Sequence, residues 1–229
     1  MTARIAVLAS GAGSNLQAIL DYLESRGGRR GADVVLVASD RPQAGALERA
    51  KRRNVPSAVL RSARCPDGVA LLDAIRKHGA DFIALAGYLR LLPPEILSEL
   101  PSRIVNIHPA LLPSFGGPGM YGERVHRAVL HSGARVSGAT VHYVDEEYDR
   151  GAILAQWPVP VLADDSVQTL ANRVLKVEHV LYPRVVHAVA TGQWRFDSRP
   201  HAVPDAAEFA LMHWDEKRLV SDIETAFGL

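Results

Sequence analysis

Ile104-Val105-Asn106-Ile107-His108-Pro109 is an apolar run closed by a carboxamide, an imidazole and a chain-stiffening proline. It reads as a buried strand, and it is the fourth of its kind. Residues 4–9, 33–38 and 81–86 are equally short and equally rich in Val, Ile, Leu and Ala. Segments with helical spacing separate these runs, over roughly 14–25, 43–53, 67–78 and 93–100, and a short strand over 57–60 follows Pro56. Continuous apolar strands that alternate with helices imply a parallel sheet covered on both faces. Beyond His108 the pattern changes. Leu112-Pro113-Ser114-Phe115-Gly116-Gly117-Pro118-Gly119 is a loop, because Gly and Pro both break regular structure. A helix over about 121–131 ends at Ser132-Gly133, and strands near 135–144 and 152–161 follow, joined by an acidic loop from Asp145 to Gly151. Asp164-Asp165-Ser166 then caps a helix that runs to about 190, with carboxylates at the positive end of its dipole. The fold expected is α/β: a doubly wound, mostly parallel Rossmann-like sheet, with helices on both faces and an antiparallel C-terminal extension of the sheet.

Length and composition narrow the classes. At 229 residues, 48% apolar and 22% charged, the chain is long enough for one real core and unlike a disordered one. Its longest apolar stretches, such as Phe82-Ile83-Ala84-Leu85-Ala86, are too short to span a bilayer. The first residues carry one positive charge and too brief an apolar segment for a secretory signal. Lone Cys65 has no partner for an intramolecular disulfide, which suits a cytoplasmic protein. A net charge of +1 gives no broad basic field, so no nucleic-acid partner is expected. Small-molecule substrates are expected instead, with monomer and homodimer both open. The organisation expected is one domain over 1–190, with a nucleotide- or phosphate-binding half (1–105) and a catalytic half (106–190). Residues 191–229, with Trp194, Trp214 and a charged last helix, form a tail on the surface.

The chemistry gathers at the end of the His108 strand. Asn106 and His108 are two positions apart, so they point to one face. Both can donate hydrogen bonds to a carbonyl oxygen that becomes negative during reaction. Asp149, in the acidic loop, supplies a carboxylate able to hold an imidazole protonated or to receive a proton. There is no G-x-S-x-G, no motif around Cys65 and no HExxH among the nine histidines, so neither a covalent nucleophile nor a metal is expected.

A second site follows the first strand. In Ser10-Gly11-Ala12-Gly13-Ser14-Asn15-Leu16, two glycines let the backbone approach an anion at the opening of a helix. Leu16 stands where a dinucleotide fingerprint has its third glycine, which weakens a pyrophosphate reading; Asp40, at the end of the second strand, leaves it faintly alive. The other reading of Gly11 and Gly13 is a tight turn and nothing more.

Asn106-Ile107-His108-Pro109 and the segment Gly138-Ala139-Thr140-Val141-His142-Tyr143-Val144-Asp145-Glu146-Glu147-Tyr148-Asp149-Arg150-Gly151 together resemble the formyltransferase family that uses 10-formyltetrahydrofolate as donor. The likeness runs from about residue 4 to 190 and includes Gly45-Ala46-Leu47-Glu48-Arg49-Ala50 and Leu85-Ala86-Gly87-Tyr88-Leu89-Arg90-Leu91-Leu92. Ser-Gly-x-Gly-Ser-Asn is similar to the branch whose acceptor is glycinamide ribonucleotide, the third-step enzymes of purine synthesis. The resemblance implies that Gly11, Ala12, Gly13, Ser14 and Asn15 hold the substrate phosphate, with Arg64 near it, and that Glu178 receives the glycyl amine. It implies Asn106, His108 and Asp149 as catalytic residues. It places the folate, a cosubstrate, against Leu89, Arg90, Leu91, Leu92, Asn106, His142, Val144, Asp145 and Asp149, with no metal. One departure stands out: the family has Gln or Lys three residues before Glu178, whereas this chain has Leu175, with Lys176 beside it, so that contact is either lost or taken over by Lys176 after a small helix shift. The Gly116–Gly122 segment is expected to be a mobile cover, and His126 after it a structural residue. The competing functions are a formyltetrahydrofolate hydrolase, whose relatives carry an N-terminal regulatory domain not seen here, an amino-sugar formyltransferase, and a non-catalytic nucleotide-binding module.

Overall fold

A computed structural model gives the fold and describes residues 2–29, 31–60, 67–194 and 215–228. Arg64, Cys65 and Trp214 lie outside the described residues. In chain order the elements are β1 (Ala3–Leu8), α1 (Ser14–Ser25), β2 (Ala32–Ser39), α2 (Gly45–Arg52), β3 (Ser57–Val59), α3 (Asp67–His78), β4 (Phe82–Leu85), α4 (Pro94–Glu99) and β5 (Ile104–His108). There follow α5 (Glu123–Ser132), β6 (Val136–Tyr143), β7 (Ile153–Pro160), α6 (Val167–Ala190) and α7 (Leu219–Phe227). The strands form one sheet in the order β3-β2-β1-β4-β5-β6-β7. The first five are mutually parallel, and β6 and β7 continue the sheet antiparallel. This is the doubly wound sheet with an antiparallel extension that the strand–helix alternation implied.

The central strands explain their own composition. Ile5, Val7, Phe82 and Ala84 sit in a cluster on one face, while Ala6, Leu8, Ile83 and Leu85 sit in a second cluster on the other. Residues buried on both faces leave no polar alternation to read, hence the continuous apolar runs. The sheet order reverses between β1 and β4, so the loops after these two strands part and leave a crevice at their carboxyl ends.

Helix α6 spans one face of the sheet and touches it through a buried tyrosine. Tyr182 is fully buried, and its hydroxyl lies 2.8 Å from the Leu85 carbonyl oxygen and 3.2 Å from that of Val105. It thus ties the helix to the two strands that end beside the crevice. Ser166 caps α6: its hydroxyl accepts from the Thr169 N–H while the Thr169 hydroxyl accepts from the Ser166 N–H. The neighbouring acid does not merely face the dipole. Asp165 takes Arg173 in a two-pronged ion pair at 2.6 and 2.9 Å, which holds its carboxyl down at about 2. Helix α7 lies against α6, with Leu219 and Ile223 buried and Arg184 paired to Glu224.

Replacing Tyr182 by Phe removes the only group of α6 that donates to these two carbonyls, at nearly constant volume. We expect a loss of about 1–2 kcal/mol, as for an interior hydrogen bond whose acceptors stay buried. Urea unfolding monitored by circular dichroism measures it.

Candidate active site

A cleft of about 640 Å³ opens at the carboxyl ends of β1, β4 and β5. Its floor is the Asn106–His108 strand end. Because β6 runs antiparallel beside β5, His142 stands opposite Asn106 and Thr140 opposite His108. His142 Nδ1 lies 2.7 Å from the carbonyl oxygen of Tyr143, an acceptor only, so this nitrogen carries the proton and Nε2 is the acceptor. Asn106 Nδ2 donates to that Nε2 at 3.0 Å, which fixes the carboxamide and leaves its second N–H for the cleft. The same argument orients His108. Its Nε2 is 2.9 Å from the Phe115 carbonyl oxygen and must donate, so Nδ1 faces Asp149 Oδ2 at 3.5 Å.

Asp149 reaches this cluster from the acidic loop. It adopts a left-handed φ of 58°, tolerated by Asp more readily than by most residues. Its Oδ2 accepts from the Gly117 N–H at 2.8 Å, and its Oδ1 lies 3.6 Å from His142 Nε2. Gly151 closes the loop where no side chain fits, since a Cβ there would sit 1.9 Å from the Tyr143 carbonyl oxygen that orients His142. Behind the strand end, the buried Thr140 hydroxyl donates to the Ala110 carbonyl oxygen at 2.6 Å and accepts from the Leu112 N–H at 3.0 Å, anchoring the turn after His108.

The electrostatics differ from the expectation in one respect. His108 is 3% exposed, and burial pulls its pKa below the ordinary value even though Asp149 and the Phe115 carbonyl push it up. The imidazole is therefore neutral before substrate arrives and is not held cationic by the carboxylate. Burial pushes the Asp149 carboxyl up, but hydrogen bonding, including that from the Gly117 N–H, prevails and holds it below the ordinary carboxylate value.

The phosphate loop borders the same cleft. Its two glycines do different work. Gly13 has a φ of 76°, and a Cβ on it would lie 2.7 Å from Ala46 Cα, so it is required for close contact with α2. A Cβ on Gly11 would meet nothing within 4 Å and would project into open space. Asn15 does more than continue the loop, because its Nδ2 donates to Glu178 Oε2 at 2.6 Å. Glu178 is 8% exposed, and burial raises its pKa. Asp40 is removed from any ribose, since its carboxylate accepts from the Ser10 hydroxyl at 2.6 Å. The dinucleotide reading loses its last support there.

Gly11 to Asn15, Leu89 to Leu92, Asn106, His108, His142, Val144, Asp149 and Glu178 thus all line one cleft. Asp145 does not line it; its carboxylate accepts from the Glu147 N–H at 3.0 Å and closes the turn. Leu175 lines the cleft, but Lys176 points elsewhere and pairs with Glu216 at 2.6 Å. Among the described lining residues, Arg90 is the sole arginine or lysine. Met120 and Tyr121, in the Gly116–Gly122 segment, lie along the rim. Among the described residues, no group of three His, Cys, Asp or Glu side chains is arranged to hold a metal, and no helix is long and apolar enough to cross a membrane.

Some cleft residues escaped the sequence reading. Arg49 braces the phosphate loop from outside, donating through Nε to the Ala12 carbonyl oxygen at 2.8 Å. Gln168, Ala171 and Asn172 line the cleft one to three turns before Glu178. Helical spacing from Glu178 was the signal that could have found them.

The family model for formyl transferases matches residues 3–186. The chain belongs to the formyl transferase family. Its relatives narrow the branch. The chloroplastic phosphoribosylglycinamide formyltransferase of Arabidopsis thaliana is 47% identical over 204 residues, covering 86% of this chain and 69% of that one. The corresponding Vigna unguiculata protein is 44% identical over 203 residues, and the match spans 64% of its length. The crystal structure of glycinamide ribonucleotide transformylase 1 from Symbiobacterium toebii superposes with a TM-score of 0.78 at 41% identity, covering 86% of this chain and 92% of that chain.

His126, on the helix that faces His108 in this formyl transferase, is 4% exposed and its Nδ1 has no partner. Burial lowers its pKa to about 4. Between that value and the unfolded value of about 6.5, the folded chain binds fewer protons than the unfolded one, so stability is full above pH 6.5 and falls as pH drops toward 4. By pH 5 the loss from this residue is about 2 kcal/mol. Comparing urea midpoints of the parent and His126→Asn at pH 7 and pH 5 isolates it, and the variant should show the shallower decline.

Proposed function

We infer that the chain transfers the formyl group of 10-formyltetrahydrofolate to the glycyl amine of glycinamide ribonucleotide, a step of purine synthesis. The observation that carries this reading is the single cleft in which a phosphate loop, a buried carboxylate at Glu178 and the Asn106–His108–Asp149 cluster meet. Each element suits one part of the two substrates. Backbone N–H groups of Gly11, Ala12, Gly13, Ser14 and Asn15 take the ribonucleotide phosphate, with Arg64 proposed as its cation. Glu178 accepts from the glycyl amine. The folate lies along Leu89, Arg90, Leu91 and Leu92 and against His142, Val144 and Asp149, with Asp145 contributing through the turn that it closes.

The transfer is direct. The amine nitrogen attacks the formyl carbon, forming a C–N bond, and the carbonyl electron pair moves onto oxygen. The free N–H of Asn106 and the Nδ1 side of His108 face this developing oxyanion. The negative oxygen and Asp149 together raise the pKa of His108, which takes on Nδ1, by way of Asp149, the proton that the attacking nitrogen loses, and holds it until N10 leaves. The tetrahedral intermediate collapses by breaking the bond from carbon to the folate N10. Asp149 assists passage of the proton lost by the attacking nitrogen to N10, so the products are the formylated amide and tetrahydrofolate.

We further propose that residues 1–190 are the transferase unit, divided at 105 into a phosphate-binding and a catalytic, folate-binding half, with 191–229 a tail on its surface. The lone Cys65 supports a cytoplasmic location, although the two plant relatives are named as chloroplastic.

Incubating the purified protein with 10-formyltetrahydrofolate should release tetrahydrofolate only when glycinamide ribonucleotide is present. Formate release without the amine would indicate a hydrolase instead. His108→Ala should lower kcat by on the order of 10²–10³ or more while tetrahydrofolate still binds. Asp149→Asn should cost orders of magnitude in kcat with little change in either KM, and should shift the acidic limb of the pH–rate profile. Asp145→Asn, Glu146→Gln and Glu147→Gln each remove one charge from the same loop and serve as controls. Equal slowing by all four would mean that the loop acts through its summed charge, and Asp149 would lose its special role.

A further inference from the structure

Ser10 stands at a junction that the chemistry above does not use. It follows β1, is 2% exposed, and lies outside the cleft lining, as does Asp40. Its backbone N–H donates to the Gly87 carbonyl oxygen at 3.0 Å. Its hydroxyl accepts from the Leu89 N–H at 3.0 Å and donates to Asp40 Oδ1 at 2.6 Å. Three strand ends of the crevice, those of β1, β2 and β4, therefore meet at one hydroxyl.

The direction of these bonds matters. A serine hydroxyl has one proton and accepts well from an N–H only if that proton points elsewhere. Asp40, a carboxylate acceptor, draws the proton away and polarises the oxygen, so the bond to Leu89 is strengthened. The segment that gains from this runs from Gly87 to Leu92 along the cleft. Gly87 turns through a φ of 75° and Leu91 is 44% exposed beside the cleft, while Leu92 at the far end of the segment is 3% exposed and packs in the core.

We propose that Ser10 and Asp40 are positioning residues that fix the Gly87–Leu92 backbone for the folate cosubstrate, relative to the phosphate loop that begins at Ser10. The proposal rests on the folate side of the function proposed above. Loss of the relay then acts on folate affinity and leaves the acceptor site and the oxyanion groups in place.

The test uses the full chain and three variants, Asp40→Ala, Ser10→Ala and Asp40→Asn. Tetrahydrofolate affinity is measured by calorimetry, and kcat and both KM values by formyl transfer. Asp40→Ala and Ser10→Ala should each raise the tetrahydrofolate Kd and the KM for 10-formyltetrahydrofolate about tenfold, the scale of one hydrogen bond. The KM for glycinamide ribonucleotide and kcat at saturation should stay within about twofold. Asp40→Asn keeps an oxygen acceptor and should restore folate affinity to within about threefold of the parent. The proposal is overturned if both KM values rise together, if kcat falls at unchanged tetrahydrofolate Kd, or if Asp40→Ala binds like the parent. It is equally overturned if Ser10→Ala and Asp40→Ala both fail to melt cooperatively, since the pair would then serve the fold. A parent protein that does not bind tetrahydrofolate would instead overturn the proposed function itself.

Discussion

The parting of the loops that follow the paired strands β1 and β4 is the constraint on which everything else in the molecule depends. Crossovers between parallel strands are right-handed, so a sheet that first winds outward one way and then the other must send its connections to opposite faces. The order β3-β2-β1-β4-β5 does this, and no helix can cover the carboxyl ends of the two central strands. A crevice results from topology before any side chain is chosen. The loop after β1 and the loop after β4 become its two walls, and Ser10 bonds one to the other through Gly87 and Leu89. The Gly11–Asn15 loop and the Leu89–Leu92 segment thus face each other across the cleft.

The Asn106–His108–Asp149 cluster depends on a second feature, the reversal of direction after β5. A further parallel strand would have required a crossover and carried the chain away from the strand ends. The antiparallel β6 instead brings His142 beside Asn106, and the loop to β7 returns Asp149 over His108. Each of the two imidazoles is then oriented by a backbone carbonyl: Tyr143 for His142 and Phe115 for His108. Because carbonyls only accept, the donating nitrogen of each ring follows, and so does the His108 nitrogen left to face Asp149.

Much of this was legible in the sequence, and the limits have physical causes. Runs such as Phe82–Leu85 announced a sheet covered on both faces because burial on both sides removes the polar alternation. Asn106 and His108 could be placed on one face from the period of a strand alone. Asp149 could not, because a loop has no period; only the family resemblance singled it out among four acids. Gly13 and Gly11 looked alike, and only the approach of Ala46 distinguishes a glycine that permits contact with α2 from one that leaves space. Lys176 seemed placed to replace a cation lost at Leu175, but its partner is Glu216, forty residues away, and a helical offset of one residue had already turned it from the cleft. Ser10, Asp40 and Arg49 share that difficulty: their partners are set by tertiary structure, and nothing in local spacing marks them.

The neutral state of His108 reconciles burial with catalysis. A permanently cationic imidazole would attract Asp149 into a closed ion pair and present less to a substrate. Burial lowers the His108 pKa, and in the resting site Nδ1 stands 3.5 Å from Asp149 Oδ2. An oxyanion forming about 4 Å away contributes on the order of 4 kcal/mol at an effective dielectric of about 20, equivalent to about three pKa units. That is enough to reverse a burial penalty of ordinary size. The imidazolium then exists only while the negative charge exists, so its attraction acts on the transition state and not on the bound substrate. An interaction stronger in the transition state than in the ground state is what raises kcat, and in the transfer proposed above a dry, carbonyl-oriented histidine beside Asp149 supplies it without a fixed positive charge in the resting cleft.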